Sequence, residues 1–207
     1  GRQALIVSSG AIGMGARHLK LTGPITDMKT RQACAAVGQP LLMHEYHKAF
    51  NERGLVVSQV LLTAEVLNKR KSYLNLRNAI EGLLRLGVVP VINENDSVGT
   101  DEIGTAFGDN DKLSALVASK IDADLLIMLT DIDALYDKDP RRNRDAKPLA
   151  LVTEITPAIV KSAGKRGSTH ATGGMKTKLK AARITATANC CMVLAAGREP
   201  DVIQKIL

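Results

Sequence analysis

Aromatic residues are scarce in this 207-residue sequence: it has no tryptophan, three tyrosines and two phenylalanines. The core must therefore be aliphatic, and few rings are present on which nucleic-acid bases could stack. Cysteine is sparse and odd in number. Of the three, Cys190 and Cys191 are adjacent and cannot readily adopt normal disulfide geometry with each other. Reduced thiols in a cytoplasmic setting are expected, as small apolar side chains in or near a strand, and no second half of a zinc motif accompanies them. No apolar run approaches the roughly 18 residues that cross a bilayer, and Gly1-Arg2-Gln3 leads into an apolar run without a signal-peptide pattern. From these residues neither a membrane nor a secretory protein is expected. Internal repeats, low-complexity tracts and Pro/Ser-rich linkers are also missing, so the length suits one domain, or at most two small ones.

What is present is an ordinary foldable composition, 45% hydrophobic and 24% charged, with 28 Lys+Arg against 21 Asp+Glu and a net charge of +7. A basic chain raises the question of nucleic acid, which depends on how the cations cluster. Lys69-Arg70-Lys71 and Arg141-Arg142-Asn143-Arg144 have no interleaved aromatics and read as solvated faces. The third cluster, 165–180, is threaded with glycine and looks more like a phosphate site. Nucleic acid is disfavoured as a partner.

Apolar, β-rich runs recur at 4–7, 55–62, 88–92, 125–129 and 192–195, most of them preceded by a segment of helical periodicity. Continuous rather than alternating apolar runs suit strands buried on both faces of a mostly parallel sheet, so the class is α/β. Helices are expected over 30–53, interrupted near Gly38 and Pro40, and over 73–86, 111–121 and 175–188, with Gly54 and Gly87 closing the first two. The chain opens on Gly1 rather than Met and enters its first strand almost at once, so further sequence is expected upstream.

The common nucleotide and metal motifs fail. Glycine pairs with Walker A spacing are followed by Ala16, Val88 and Thr105, never by the lysine that reaches the outer phosphates. Gly10, Gly13 and Gly15 run in the order G-x-x-G-x-G, whereas a dinucleotide turn needs G-x-G-x-x-G. At the end of the first strand these glycines suit either the close approach of backbone amides to an anion or a plain tight turn. His44 and His47 stand three apart, not four as in a metalloprotease helix, and are read as a surface pair.

Chemistry concentrates where strands end. The run 88–92 leads directly into Asn93-Glu94-Asn95-Asp96, four short polar groups at a carboxyl edge where α/β proteins bind ligands. Gly108-Asp109-Asn110-Asp111 precedes a helix, and Thr130-Asp131 closes another strand. The glycine-rich stretch 164–174 opens into a helix carrying Lys176, Lys178 and Lys180, a plausible cradle for polyphosphate. Together these suggest phosphoryl transfer without a P-loop, in which lysines and Mg²⁺ stabilise charge and a carboxylate acceptor needs no general base.

Ser8-Ser9-Gly10-Ala11-Ile12, Asn93-Glu94-Asn95-Asp96, Gly108-Asp109-Asn110-Asp111, Thr130-Asp131 and Thr172-Gly173-Gly174-Met175 resemble, in order and at compatible spacing, the glutamate 5-kinases of the amino acid kinase family. The last motif is shared by several amino acid kinases, while the 93–96 and 108–111 pair is more specific. The resemblance covers essentially the whole chain. It implies one amino acid kinase domain over 1–207, a three-layer αβα sandwich around a mainly parallel sheet, whose initial strand and K-x-G-[ST] loop would lie upstream of Gly1. It also implies transfer of phosphate from Mg-ATP to the γ-carboxylate of L-glutamate, giving L-glutamyl 5-phosphate for proline biosynthesis, with proline as feedback inhibitor and a homo-oligomeric assembly. Ser9 and Gly10 would then meet glutamate beside its reacting carboxylate, with Asp96 and Asn110 holding the amino-acid end. Asp109 and Asp111 would shape that site, Asp111 near Mg²⁺. Thr130, Asp131, Thr172, Gly173, Gly174, Met175, Lys176, Thr177 and Lys178 would hold ATP, with Asp131 organising lysines and Lys178 neutralising the transferring group. The C-terminal RNA-binding-like domain of many members has no counterpart in these residues. The rival readings are a kinase of N-acetylglutamate, aspartate or a nucleotide, which Asp96 and Asn110 disfavour because they suit a free α-amino acid, and a catalytically silent proline-sensing or RNA-binding module.

Overall fold

The computed structural model describes residues 1–99, 110–140, 143–162 and 174–207. The chain clusters into two compact units, Gly1–Asn110 and Asp111–Leu207. The first contains β1 (Ile6–Val7), α1 (Ala11–His18), α2 (Met28–Asn51), β2 (Val57–Leu62), α3 (Ala64–Asn68), α4 (Arg70–Arg85) and β3 (Val89–Glu94). Its strands pair in parallel in the order β1-β3-β2, with Ile6 opposite Val91 and Val57 opposite Val89. The central strand is fully buried from Pro90 to Asn93, the continuous apolar burial that its composition indicated.

Proline in a central strand removes a ladder donor, and its orientation explains why β1 is shorter than the apolar run 4–7. Alternate residues of a parallel strand bond to opposite neighbours. Val89 N donates to Val56 O at 2.9 Å and Asn95 N to Leu62 O at 2.8 Å, so the odd positions face β2, while Ile92 O accepts from Ser8 N at 2.8 Å on the β1 side. Pro90 therefore faces β1 and has no N–H to offer there. Pairing on that side begins at Ile6.

Helix α2 runs unbroken through Gly38 and Pro40, contrary to the expected interruption. Asp27 caps its start, accepting from Thr30 N at 2.8 Å. Gly38 serves packing rather than termination. A Cβ there would lie 1.8 Å from Ala11 O, and one at Gly15 would lie 1.9 Å from Cys34 O. Each glycine thus admits the backbone of the opposite helix, so α1 and α2 cross with almost no side chain between them. Beneath them Met43, Val57 and Val91 form a core joined by Ile6, Tyr46, Phe50 and Val89. His44 and His47 lie exposed on α2 as a surface pair.

The second unit holds α5 (Asn110–Lys120, whose first residue closes the preceding unit), β4 (Leu125–Thr130), α6 (Pro157–Ser162), α7 (Met175–Thr187), β5 (Cys191–Ala196) and α8 (Val202–Ile206). β4 and β5 pair in parallel, Leu125 with Cys191 through Thr130 with Ala196. Ala115, Met128 and Ala181 form the buried centre, with Leu126, Ile184, Met192 and Leu194 against them. This core is aliphatic throughout. Cys34 and Cys190 are buried thiols and Cys191 an exposed one, none of them in a disulfide. Burial pushes the Cys190 thiol up, which disfavours its thiolate form.

Candidate active site

In the first unit the carboxyl ends of β1 and β3 carry the predicted polar groups. Gly10 caps α1 with φ near +100°, a left-handed conformation that suits glycine, and Ser9 and Gly10 are exposed beside it. Gly13 and Gly15 lie inside α1, where a Cβ at Gly13 would meet nothing within 4 Å, whereas Gly15 is spent on the helix crossing. Ser8 is buried, its hydroxyl 2.9 Å from Tyr46 Oη.

Asn93, at 2% exposure, sits in a chain of amides. Glu94 N donates to Asn93 Oδ1 at 2.9 Å, and Asn93 Nδ2 donates to Gln39 Oε1 at 2.9 Å. Gln39 Nε2 in turn points to Gln59 Oε1 at 3.4 Å. At the other end Asn110 Nδ2 donates to Asn93 Oδ1 at 3.2 Å and to the carbonyl of Ser8. Asn110 is thus tied to the tips of both β1 and β3.

A cleft of about 260 Å³ opens beside this chain, lined by Ala11, Ala35, Ala36, Gln39, Pro40, Gln59, Leu61, Glu94, Asn95, Asp96 and Ser97. Pro40 has no N–H for the carbonyl of Ala36 one helical turn back, and both residues are in the wall. Burial raises the Asp96 carboxyl above its ordinary range, partly offset by the charge of Arg31. Ser97 Oγ donates to Asn95 Oδ1 at 2.7 Å, closing the turn that presents Asp96.

In the second unit, Asp111 in the first turn of α5 meets Lys178 and Thr177 in the first turns of α7. Lys178 Nζ lies 3.0 Å from Asp111 Oδ2 and 3.4 Å from Oδ1, with both side chains about nine-tenths buried. Thr177 Oγ1 is 2.7 Å from Asp111 Oδ2 and 2.6 Å from Gly174 O, so its single proton serves one of them at a time. The three helix lysines separate: residues two apart on a helix face opposite ways, and Lys176 and Lys180 are exposed while Lys178 turns inward. Gly174 is the extended N-cap of α7, and Met175 follows half-buried. At the end of β4, Thr130 Oγ1 donates to Asp131 Oδ1 at 3.1 Å, and among the described residues no lysine reaches exposed Asp131. Asp109, Thr172 and Gly173 lie outside the described residues.

Among the described residues the structure thus brings together two groups, one of amides and the Asp96 carboxylate around a cleft, the other an inward lysine held by an acid and a hydroxyl, while the Thr130–Asp131 pair is bonded to neither. Gln39, Gln59 and Tyr46 were not anticipated. Only the placement of a glutamine between Gly38 and Pro40 in mid-helix could have drawn attention to the first of them.

Residues 1–195 match the Amino acid kinase family. The chain belongs to that family. The glutamate 5-kinase of Methanosarcina mazei is 52% identical over 206 residues, covering 100% of this chain and 54% of the relative. That of Clostridium perfringens is 47% identical over 209 residues, covering 100% of this chain and 78% of the relative. The chain spans about half the length of the Methanosarcina mazei kinase. Among solved structures, the isopentenyl phosphate kinase of T. acidophilum superposes with a TM-score of 0.59 at 20% identity, over 98% of this chain and 79% of its own. Carbamate kinase from Giardia lamblia gives 0.58 at 15% identity, over 99% and 83%. The α/β architecture with parallel strands is therefore that of the amino acid kinases.

Proposed function

We propose that this amino acid kinase chain is the kinase domain of a glutamate 5-kinase, transferring the γ-phosphoryl group of ATP to the γ-carboxylate of L-glutamate. Identity of about half over the whole chain to proteins of that name carries the reading. The two side-chain groups supply what the reaction needs. An amino acid brings an ammonium that Asp96 can pair, and amide groups suit the rest of its polar head. Its γ-carboxylate is ionised at neutral pH and attacks phosphorus without a general base. Charge on the transferring oxygens then has to be stabilised by fixed cations. Lys178 is fitted for this, since Asp111 and Thr177 restrict its side chain before substrate arrives.

Among the described residues no group of three or more His, Cys, Asp or Glu is placed to hold a metal. The donor set fits Mg²⁺ that enters with ATP, because Mg²⁺ in kinases keeps its phosphate and water ligands and takes only one or two carboxylates, here Asp111. Bound in that way it neutralises phosphate charge. Proline shares the α-amino acid head of glutamate and is expected to compete for the same cleft. Among the described residues no helix is long and apolar enough to cross a membrane, and we place the enzyme in the cytoplasm as a homo-oligomer.

The test is ADP release by the full-length protein with L-glutamate, L-aspartate or N-acetylglutamate, with hydroxylamine present to trap the acyl phosphate. Glutamate-dependent hydroxamate, suppressed by proline, is the expected result. Turnover of aspartate or N-acetylglutamate in preference to glutamate would overturn the assignment.

A further inference from the structure

The chain of amides beside the cleft has a direction, and two backbone groups fix it. Glu94 N–H can only donate, so the atom of Asn93 that it meets is the carbonyl oxygen. Asn93 must then turn its NH₂ to Gln39, whose carbonyl oxygen receives it and whose own NH₂ faces Gln59 Oε1. From the other end the Ser8 carbonyl can only accept, which orients Asn110 with its NH₂ inward, in agreement with the same direction. Every link donates the same way along Asn110, Asn93, Gln39 and Gln59. Among the described residues the carbonyl oxygen of Asn110 and the NH₂ of Gln59 are left over at opposite ends. Gln59 lines the cleft with Asp96.

We propose that Gln59 is a specificity-determining residue whose N–H receives the α-carboxylate of the substrate, and that Gln39 is a positioning residue that fixes Gln59 in this orientation. An unrestrained glutamine at an exposed position of an edge strand would present oxygen or nitrogen indifferently. Gln39 removes that freedom because it is 8% exposed and held by Asn93. The cleft then offers a carboxylate from Asp96 and an amide donor from Gln59, complementary to the ammonium and α-carboxylate of a zwitterionic amino acid. A dicarboxylate without the amine, or an amine without the α-carboxylate, would satisfy only one of them. The inference rests on the reading of this cleft as a glutamate site.

It is tested with the full-length protein on three acceptors that share the reacting carboxylate: L-glutamate, 4-aminobutyrate, which lacks the α-carboxylate, and glutarate, which lacks the amine. In Gln59→Leu, the ratio of kcat/KM for L-glutamate over 4-aminobutyrate should fall on the order of tenfold, the loss of one hydrogen bond to a charged group. The ratio of L-glutamate over glutarate, which differ only in the amine and so report the ammonium contact, should hold. Gln39→Glu, assayed in mildly alkaline buffer, keeps an acceptor for Asn93 but offers Gln59 an acceptor in place of an N–H. Gln59 should then reverse, and the first ratio should fall as in Gln59→Leu. A merely structural role would depress all three acceptors together. An unchanged first ratio in Gln59→Leu, with glutamate turnover by the wild type intact, overturns this inference alone, and an unchanged first ratio in Gln39→Glu overturns the positioning role. Failure of the wild type to phosphorylate glutamate removes the functional reading as well.

Discussion

Two helical glycines should respond to the same substitution with opposite sign. Gly38 and Gly82 both lie inside helices, where replacing glycine by alanine ordinarily stabilises by about 0.5–1 kcal/mol through backbone entropy. At Gly82 a Cβ meets nothing within 4 Å, so that gain should appear undiminished. At Gly38 the Cβ would stand 1.8 Å from Ala11 O and 2.5 Å from Gly15 N. The first distance falls about 1.6 Å short of ordinary van der Waals contact, and the neighbours are backbone atoms of α1 that cannot rotate aside. Relief requires α1 to retreat bodily from α2. Overpacking of this kind costs about 1–3 kcal/mol, which exceeds the entropic gain. We expect Gly38→Ala to lose about 1–2 kcal/mol net, and Gly82→Ala to gain. The assay is urea unfolding, read as opposite shifts in midpoint at unchanged m. Because α1 carries Gly10 at its cap and Ala11 in the cleft wall, Gly38→Ala should also raise KM for glutamate. A Gly38→Ala midpoint at or above wild type would refute the close-crossing argument.

Lys178→Ala should lower kcat far more than it raises KM for glutamate, and it removes the ammonium that faces the buried Asp111 carboxylate, so Tm should fall as well. Separate determination of kcat, KM and Tm distinguishes the two effects, and an unchanged kcat would remove Lys178 from the transfer step. Asp96→Asn should raise KM for glutamate and, in the ligand-free protein, raise Tm at neutral pH. Burial lifts the Asp96 carboxyl, so the folded state binds its proton more tightly than the unfolded chain. The stability this group contributes is therefore complete below the unfolded-state pKa and is lost as pH rises through the folded one. Melting curves across that window should show the Asn variant gaining on wild type as pH increases, and a constant difference would contradict the burial argument.

The strand-end motifs were legible because they are local: an apolar run passing directly into 93–96 or 130–131 places polar groups at a carboxyl edge whatever surrounds them. The α/β class followed from continuous apolar runs for the same reason. What stayed hidden depends on partners distant in sequence. The late start of β1 is dictated by Pro90 on another strand, and the inward turn of Lys178, unlike Lys176 and Lys180, is completed by Asp111. Gly38-Gln39-Pro40 is the sharpest instance. Read alone, a glycine and a proline two residues apart weaken a helix and imply an interruption. In the fold each departure from helical preference has a separate use: Gly38 admits α1, Gln39 directs the amide chain, and Pro40 stands in the cleft wall opposite a carbonyl it cannot bond. Local propensity is overridden most where the helix becomes part of the site, because packing against α1 and the buried amide links supply the stabilisation that the three residues themselves withhold.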